Sequence, residues 1–283
     1  MVFESLMRPL RAVSKPWEML FYGIFVASIG VFLGYWIFRD KADLVMIFLT
    51  VFAVIPLMFH TLRREEQADM EEEQETKMLK RHSKVLFFYI FLFVGMTIAY
   101  VMWYVFLPDN MSQMVFKQQI ITIAQINSPV VVGDAVSMGL FTKILFNNMK
   151  VLIFCILFSF FYGAGAIFIL TWNASVVAAA IGNLIKLGVA KYAATAGFTK
   201  MAAMTQTTTY AFSRYLFHGL PEMAAYMVAG LAGGIISAAV INKHFQTDKF
   251  QRIMLDSSTL MLIALGILFF AALMESFITP ALF

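Results

Sequence analysis

Charge is scarce in this chain. Only 13% of its 283 residues are Asp, Glu, Lys or Arg, whereas 61% are hydrophobic. A water-soluble globular protein of this length needs far more charge on its surface, so the composition excludes that class and fits helices facing lipid. Cysteine is nearly absent: Cys155 is the only one, which excludes a disulfide within the chain. Lying in an apolar run, it reads as a small hydrophobe. Histidine is limited to four, and His60, His82 and His244 sit beside basic segments, which leaves no metal-ligand set around the fourth, His218. Alternation with period two is missing from the apolar runs, which argues against a membrane β-barrel. No Gly-x-Ser-x-Gly, no Ser–Lys pair within a run and no Asp pair in neighbouring runs occurs, and Glu-Glu appears only between residues 65 and 73. No catalytic residue, metal or cofactor is therefore expected. A cleavable leader is not expected either, because the first apolar run begins after residue 16 and is too long for one.

Long apolar runs are what the chain does have. Trp17–Phe38, Ala42–Phe59, Val85–Leu107, Val151–Trp172, Pro221–Ile241 and Thr259–Ile278 are each about long enough to cross a ~30 Å hydrocarbon layer at ~1.5 Å per residue. Asn173–Ala190 is apolar but rich in Ala and Gly and includes Asn183 and Lys186, so it reads as a short span or a re-entrant helix. Basic residues decide between these. Arg8, Arg11 and Lys15, then Arg63, Arg64, Lys77, Lys80, Arg81 and Lys84, then Lys243, Lys249 and Arg252 all fall on one side only if Asn173–Ala190 crosses. The expectation is an all-α polytopic membrane protein of six to seven spans, preferably seven, with the N-terminus cytoplasmic and the C-terminus outside. Three parts follow: a basic segment and hairpin over 1–59, a charged cytoplasmic helix over 60–84 read as a solvated linker, and a main body over 85–283. Within the last, Met111–Ile126 has helical spacing of apolar and polar residues and is expected to form an outer interfacial helix, ended by Ser128-Pro129.

Ionisable residues at the edge of a span need partners, and one segment concentrates them. Arg214, His218 and Glu222 stand at i, i+4 and i+8, one stripe of a helix, with Pro221 among them. Asn147 and Asn148 precede the run at Val151, where Asn serves as a cap, and Asn173 follows Trp172, where a turn is expected. Gly163 and Gly165 lie in that run, and Gly230, Gly233 and Gly234 in the last but one; small residues there permit close helix approach, within the chain or to a second copy.

Together these motifs resemble the stage II sporulation protein M (SpoIIM) family of integral membrane proteins. Asn147-Asn148, Gly163-Ala164-Gly165, Asn173, the Ala/Gly-rich run, His218-Gly219-Leu220-Pro221-Glu222 and Ala229 to Gly234 carry the likeness over about 85–280. It implies a helical membrane scaffold; the namesake looks like the membrane anchor of a complex with two cell-wall hydrolases. The leading expectation is thus a scaffold or assembly protein whose Asn/His/Glu cluster fixes helix packing or binds a partner or lipid. The alternatives are a transporter using His218 and Glu222 for a proton or cation, and an intramembrane enzyme acting on lipid-linked substrates. Expected partners are membrane lipids, other membrane or envelope proteins and a second copy of the chain; nothing calls for nucleic acid. The charge asymmetry is testable. A cysteine tag on the C-terminus should react with an impermeant maleimide in intact cells, and protection until lysis would reverse the assigned orientation.

Overall fold

An apolar layer offers no water to backbone amides and carbonyls, so a run crossing it satisfies them internally as a helix. The computed structural model describes residues 9–71, 75–126, 134–159, 164–191, 197–243 and 249–282, which are helical almost throughout and contain no strand. In order come α1 (Pro9–Ser14), α2 (Glu18–Ile37), a 3-10 turn (Arg39–Lys41), α3 (Ala42–Glu71), α4 (Glu75–Phe106), α5 (Asp109–Val115), α6 (Lys117–Ile126), α7 (Asp134–Ser159), α8 (Ala164–Lys191), α9 (Gly197–Ile241) and α10 (Lys249–Leu273). A π-helical turn (Met274–Ile278) and α11 (Thr279–Leu282) complete the described residues. Seven of these helices, α2, α3, α4, α7, α8, α9 and α10, contain segments long and apolar enough to cross a membrane. The all-α class and the count of seven therefore stand, and Asn173–Ala190 lies inside one of the seven spans.

One departure from the hydrophobic pattern moves the candidate polar residues. The run Val151–Trp172 is not one helix: α7 ends at Ser159 and α8 begins at Ala164, while Gly163 lies outside the described residues. The flanks of this junction are as apolar as the spans they join, so hydrophobicity alone carries no sign of it. As a result Asn147 and Asn148 sit within α7 rather than capping its start, and Asn173 sits within α8 rather than in a turn. Pro221 does not end its helix either; α9 continues through it.

We call the end of the bundle bearing Arg63, Arg64, Lys84 and Lys243 the basic end, and the opposite one the far end. Glycine governs the first crossing. A Cβ on Gly23 of α2 would meet the Leu92 carbonyl oxygen of α4 at 2.6 Å, and a Cβ on Gly95 of α4 would run into the Leu20 carbonyl of α2. The two helices thus approach to backbone contact. Gly30 faces Thr50 and the Met46 carbonyl of α3 in the same way. The Tyr22 hydroxyl donates to the Ala53 carbonyl at 2.9 Å, and Tyr100 on α4 lies 3.0 Å from the Thr50 hydroxyl, which itself donates to Met46.

At the far end the expected single helix over Met111–Ile126 is two, α5 and α6, meeting at Phe116; Ser128 and Pro129 lie outside the described residues. Phe116 is fully buried, its ring 5.1 Å from that of Tyr104 and 6.3 Å from that of Tyr100. Gln119 is buried too, and its amide donates to the Asp43 carbonyl of α3 and the Ser175 hydroxyl of α8, each at 3.2 Å. Lys186 of α8 reaches the Leu107 carbonyl (2.9 Å), Asp109 (2.7 Å) and Ser112 (3.0 Å), which accounts for a lysine in an otherwise apolar run. The segment after α4 is therefore docked onto three spans.

The glycine crossing yields a direct test. Gly95→Ala gains up to ~1 kcal/mol of helix propensity, but the overpacking it forces costs about 1–3 kcal/mol, so the melting temperature should fall. Gly266→Ala, where a Cβ meets nothing within 4 Å, should not lower it; equal behaviour of the two would contradict the close crossing.

Candidate functional site

Three spans converge on Gly230. A Cβ there would collide with the Ala166 side chain of α8 and lie 3.6 Å from the Cys155 sulfur of α7, and the Cys155 thiol donates to the Tyr226 carbonyl at 3.5 Å. Toward the basic end, Gly233 packs on Ser159 and Ile156, Gly234 on the Leu62 side chain of α3, and Gly165 on Phe158 and Ser159. The small-residue stripe is thus occupied by spans of the same chain.

Moving one heptad from this junction toward the far end, along each helix, keeps to the same face. That step leads from Cys155 to Asn148, from Ala166 to Asn173, and from Gly230 to Met223 with Glu222 beside it. The pairings Cys155–Tyr226 and Ser159–Gly233 show that α7 and α9 run parallel, so Asn148 and Glu222 stand at one level. Asn148 is buried, whereas Asn147 is exposed and belongs to another face. Asn173 donates to the Ile169 carbonyl of its own helix at 2.8 Å, and Glu222 accepts from the Tyr226 hydroxyl at 2.8 Å. Among the described residues no hydrogen bond links Asn148, Asn173 and Glu222 to one another. His218 and Arg214 are on α9, one and two turns farther out; their side chains lie outside the described residues. Tyr226, as the partner of Glu222, carried no signal beyond its spacing of four.

A second polar centre was not anticipated at all. The stretch 60–84, read as a solvated linker helix, is the continuation of α3 to Glu71 and of α4 from Glu75, and part of it is buried. Glu66 is 0% exposed, His82 2% and Glu65 4%. Arg81 donates to Glu65 at 3.2 Å, the His82 Nδ1 lies 3.3 Å from the same carboxylate oxygen, and the His82 Nε2 lies 3.0 Å from Asp256 of α10. Asn242, just after α9, donates to Glu66 at 3.0 Å. Four helices are joined at the basic end by groups up to 176 residues apart, a separation that no local pattern reveals. The buried Ser257 hydroxyl beside Asp256 has no hydrogen-bond partner among the described residues. No group of three or more His, Cys, Asp or Glu among the described residues is placed to hold a metal ion.

Residues 23–280 match the model of the family described as Stage II sporulation protein M. The chain belongs to this family. The match takes in the hairpin after Gly23 and the stretch 60–84, and so begins well before residue 85, where the resemblance of motifs alone placed it. No curated protein and no solved structure matches the chain. With seven helices among the described residues long and apolar enough to cross a membrane, this family member is a multi-pass membrane protein.

The basic-end tie can be measured. His82→Ala should destabilise by about 1–3 kcal/mol, the cost of leaving a buried polar partner unmade. Combined with Asp256→Ala, the total should depart from additivity by at least ~0.5 kcal/mol in a double-mutant cycle; strict additivity would show that the two groups do not cooperate.

Proposed function

We propose that this family member is a membrane scaffold, with its basic end in the cytoplasm and its C-terminus outside, that presents one span to partner proteins of the membrane or envelope. The small groups inside the spans and Asn173 are engaged in the chain's own packing: Gly230, Gly233, Gly234 and Gly165 seat neighbouring helices, and Asn173 is bonded within its helix. The observation that carries the reading is the uneven cover of the spans. Only 17% of the span in α7 is buried, against 83% of that in α9. Its open side presents Phe146, Ile153, Phe154, Leu157 and Phe158, with the rings of Phe154 and Phe158 stacked at 4.0 Å.

A bundle tied at both ends, by the Glu65–His82–Asp256 contacts and by the docked α5–α6 segment, suits a fixed platform. The orientation rests on the basic residues of 60–84 and 242–256 sharing one end. The Cys155–Tyr226 bond and the close seats at Gly230 and Gly233 then set the packing of α7 against α9, which positions the open face.

Purification from native membranes in mild detergent should recover discrete membrane or envelope proteins with the chain. Ile153→Trp together with Leu157→Trp, which keep the face apolar but change its shape, should abolish that recovery and leave the melting temperature within ~0.5 kcal/mol of equivalent stability. A wild-type chain that purifies alone as a monomer with lipid would refute the reading.

A further inference from the structure

Glu222 and Glu275 each stand about one turn inside the far end of a span, in Gly219–Ile241 and Phe250–Ile278 respectively. Glu222 is on α9, and Glu275 is on the π-helical turn that follows α10; α9 and α10 pack against each other, and α11 packs on both that turn and α9, so the two carboxylates stand at one depth. The charge of Glu275 acts on both Glu222 and Tyr226. Both glutamates are only partly buried.

What surrounds them is built from hydroxyls. Tyr226 donates to Glu222 at 2.8 Å. Four residues past Glu275, Thr279 is 9% exposed, and its buried hydroxyl has no hydrogen-bond partner among the described residues. Thr279 begins α11, which packs on α9, the helix of Glu222. The turn that carries Glu275 is π-helical, a geometry that breaks the regular i→i−4 ladder and recurs at functional sites. From α7 come buried Asn148 at the same level, the Cys155 thiol deeper, and Lys143 and Lys150, both exposed. α8 adds Asn173, and α9 itself carries Arg214 and His218 on the stripe of Glu222.

Two carboxylates at one depth of an apolar layer repel each other, and ionising both without a counter-charge between them is strongly disfavoured. We propose that Glu222 and Glu275 together form a proton-binding site that holds one exchangeable proton, with Tyr226 donating to Glu222 and the Thr279 hydroxyl serving Glu275. One proton moves between the pair and the far side of the membrane, and no bond other than the acidic O–H is made or broken. The site is separate from the open face of α7, so the scaffold reading stands or falls independently of it.

Dicyclohexylcarbodiimide, a lipid-soluble reagent that attacks protonated carboxyl groups, provides the test. The full-length protein in liposomes, in choline buffer at acidic, neutral and alkaline pH, should take up at most one adduct at the pair, mapped by mass spectrometry to Glu222 or Glu275. Glu275→Gln removes the like charge, so Glu222 should release its proton more readily and its labelling at neutral pH should fall several-fold while persisting in acid. Tyr226→Phe, a mild change, removes the donor that favours the ionised form, and labelling should extend to higher pH. Absence of labelling of both glutamates at every pH overturns the proposal, as does labelling of Glu222 that is indifferent to Glu275→Gln in protein that still elutes as a single species. Loss of neutral-pH labelling when sodium replaces choline overturns it as well, by assigning the site to a metal cation. Co-purification of partners is read separately, so failure here is distinguishable from failure of the scaffold reading.

Discussion

Helix-to-helix contact in an apolar layer gains little from hydrophobicity, because lipid tails are as apolar as the side chains. Spans must associate through close packing and a few polar bonds, and the rest of this structure depends on that constraint. It is met by removing side chains where backbones cross. Gly23 and Gly95 join α2 to α4, Gly30 joins α2 to α3, and Gly230 admits α7 and α8 to α9. Gly182 likewise makes room for the Tyr104 ring, which would lie 2.6 Å from an added Cβ. Once these contacts fix the crossing points, hydroxyls such as Thr50, Tyr22 and Tyr100 add directional bonds between the same helices.

The two ends of the bundle solve a different problem. There the helices emerge from the apolar layer, and charged groups become useful as ties provided that each finds a partner. At the basic end, Glu65, Arg81, His82 and Asp256 link α3, α4 and α10, while Glu66 and Asn242 extend the link to the end of α9. At the far end, Lys186 and Gln119 lock the α5–α6 segment onto α3 and α8, and Phe116 packs it against α4. Between the ends lies the layer that brings Asn148, Asn173 and Glu222 to one level, with Tyr226 bonded to Glu222.

The spans themselves were legible from the sequence because membrane thickness dictates their length and the basic residues dictate the parity of crossings. The division of α7 from α8 was not, since the residues flanking the junction are as apolar as those within the helices. That error moved Asn148 and Asn173 from presumed helix ends to positions inside spans, where the same residues read as buried polar groups instead of caps. The stripe of Glu222 was visible through its spacing, but its partner Tyr226 was not, because it looked like an ordinary aromatic. The tie between His82 and Asp256 spans 174 residues and leaves no local trace.

Lys186 carries a consequence for how the chain is made. Its three acceptors, the Leu107 carbonyl, Asp109 and Ser112, all precede it in the sequence. A chain threaded into a membrane from its N-terminus has therefore already delivered them when α8 arrives, and the ammonium meets a prepared berth at the surface rather than waiting unaccompanied for a later span. The order of residues along the chain doubles as an order of assembly.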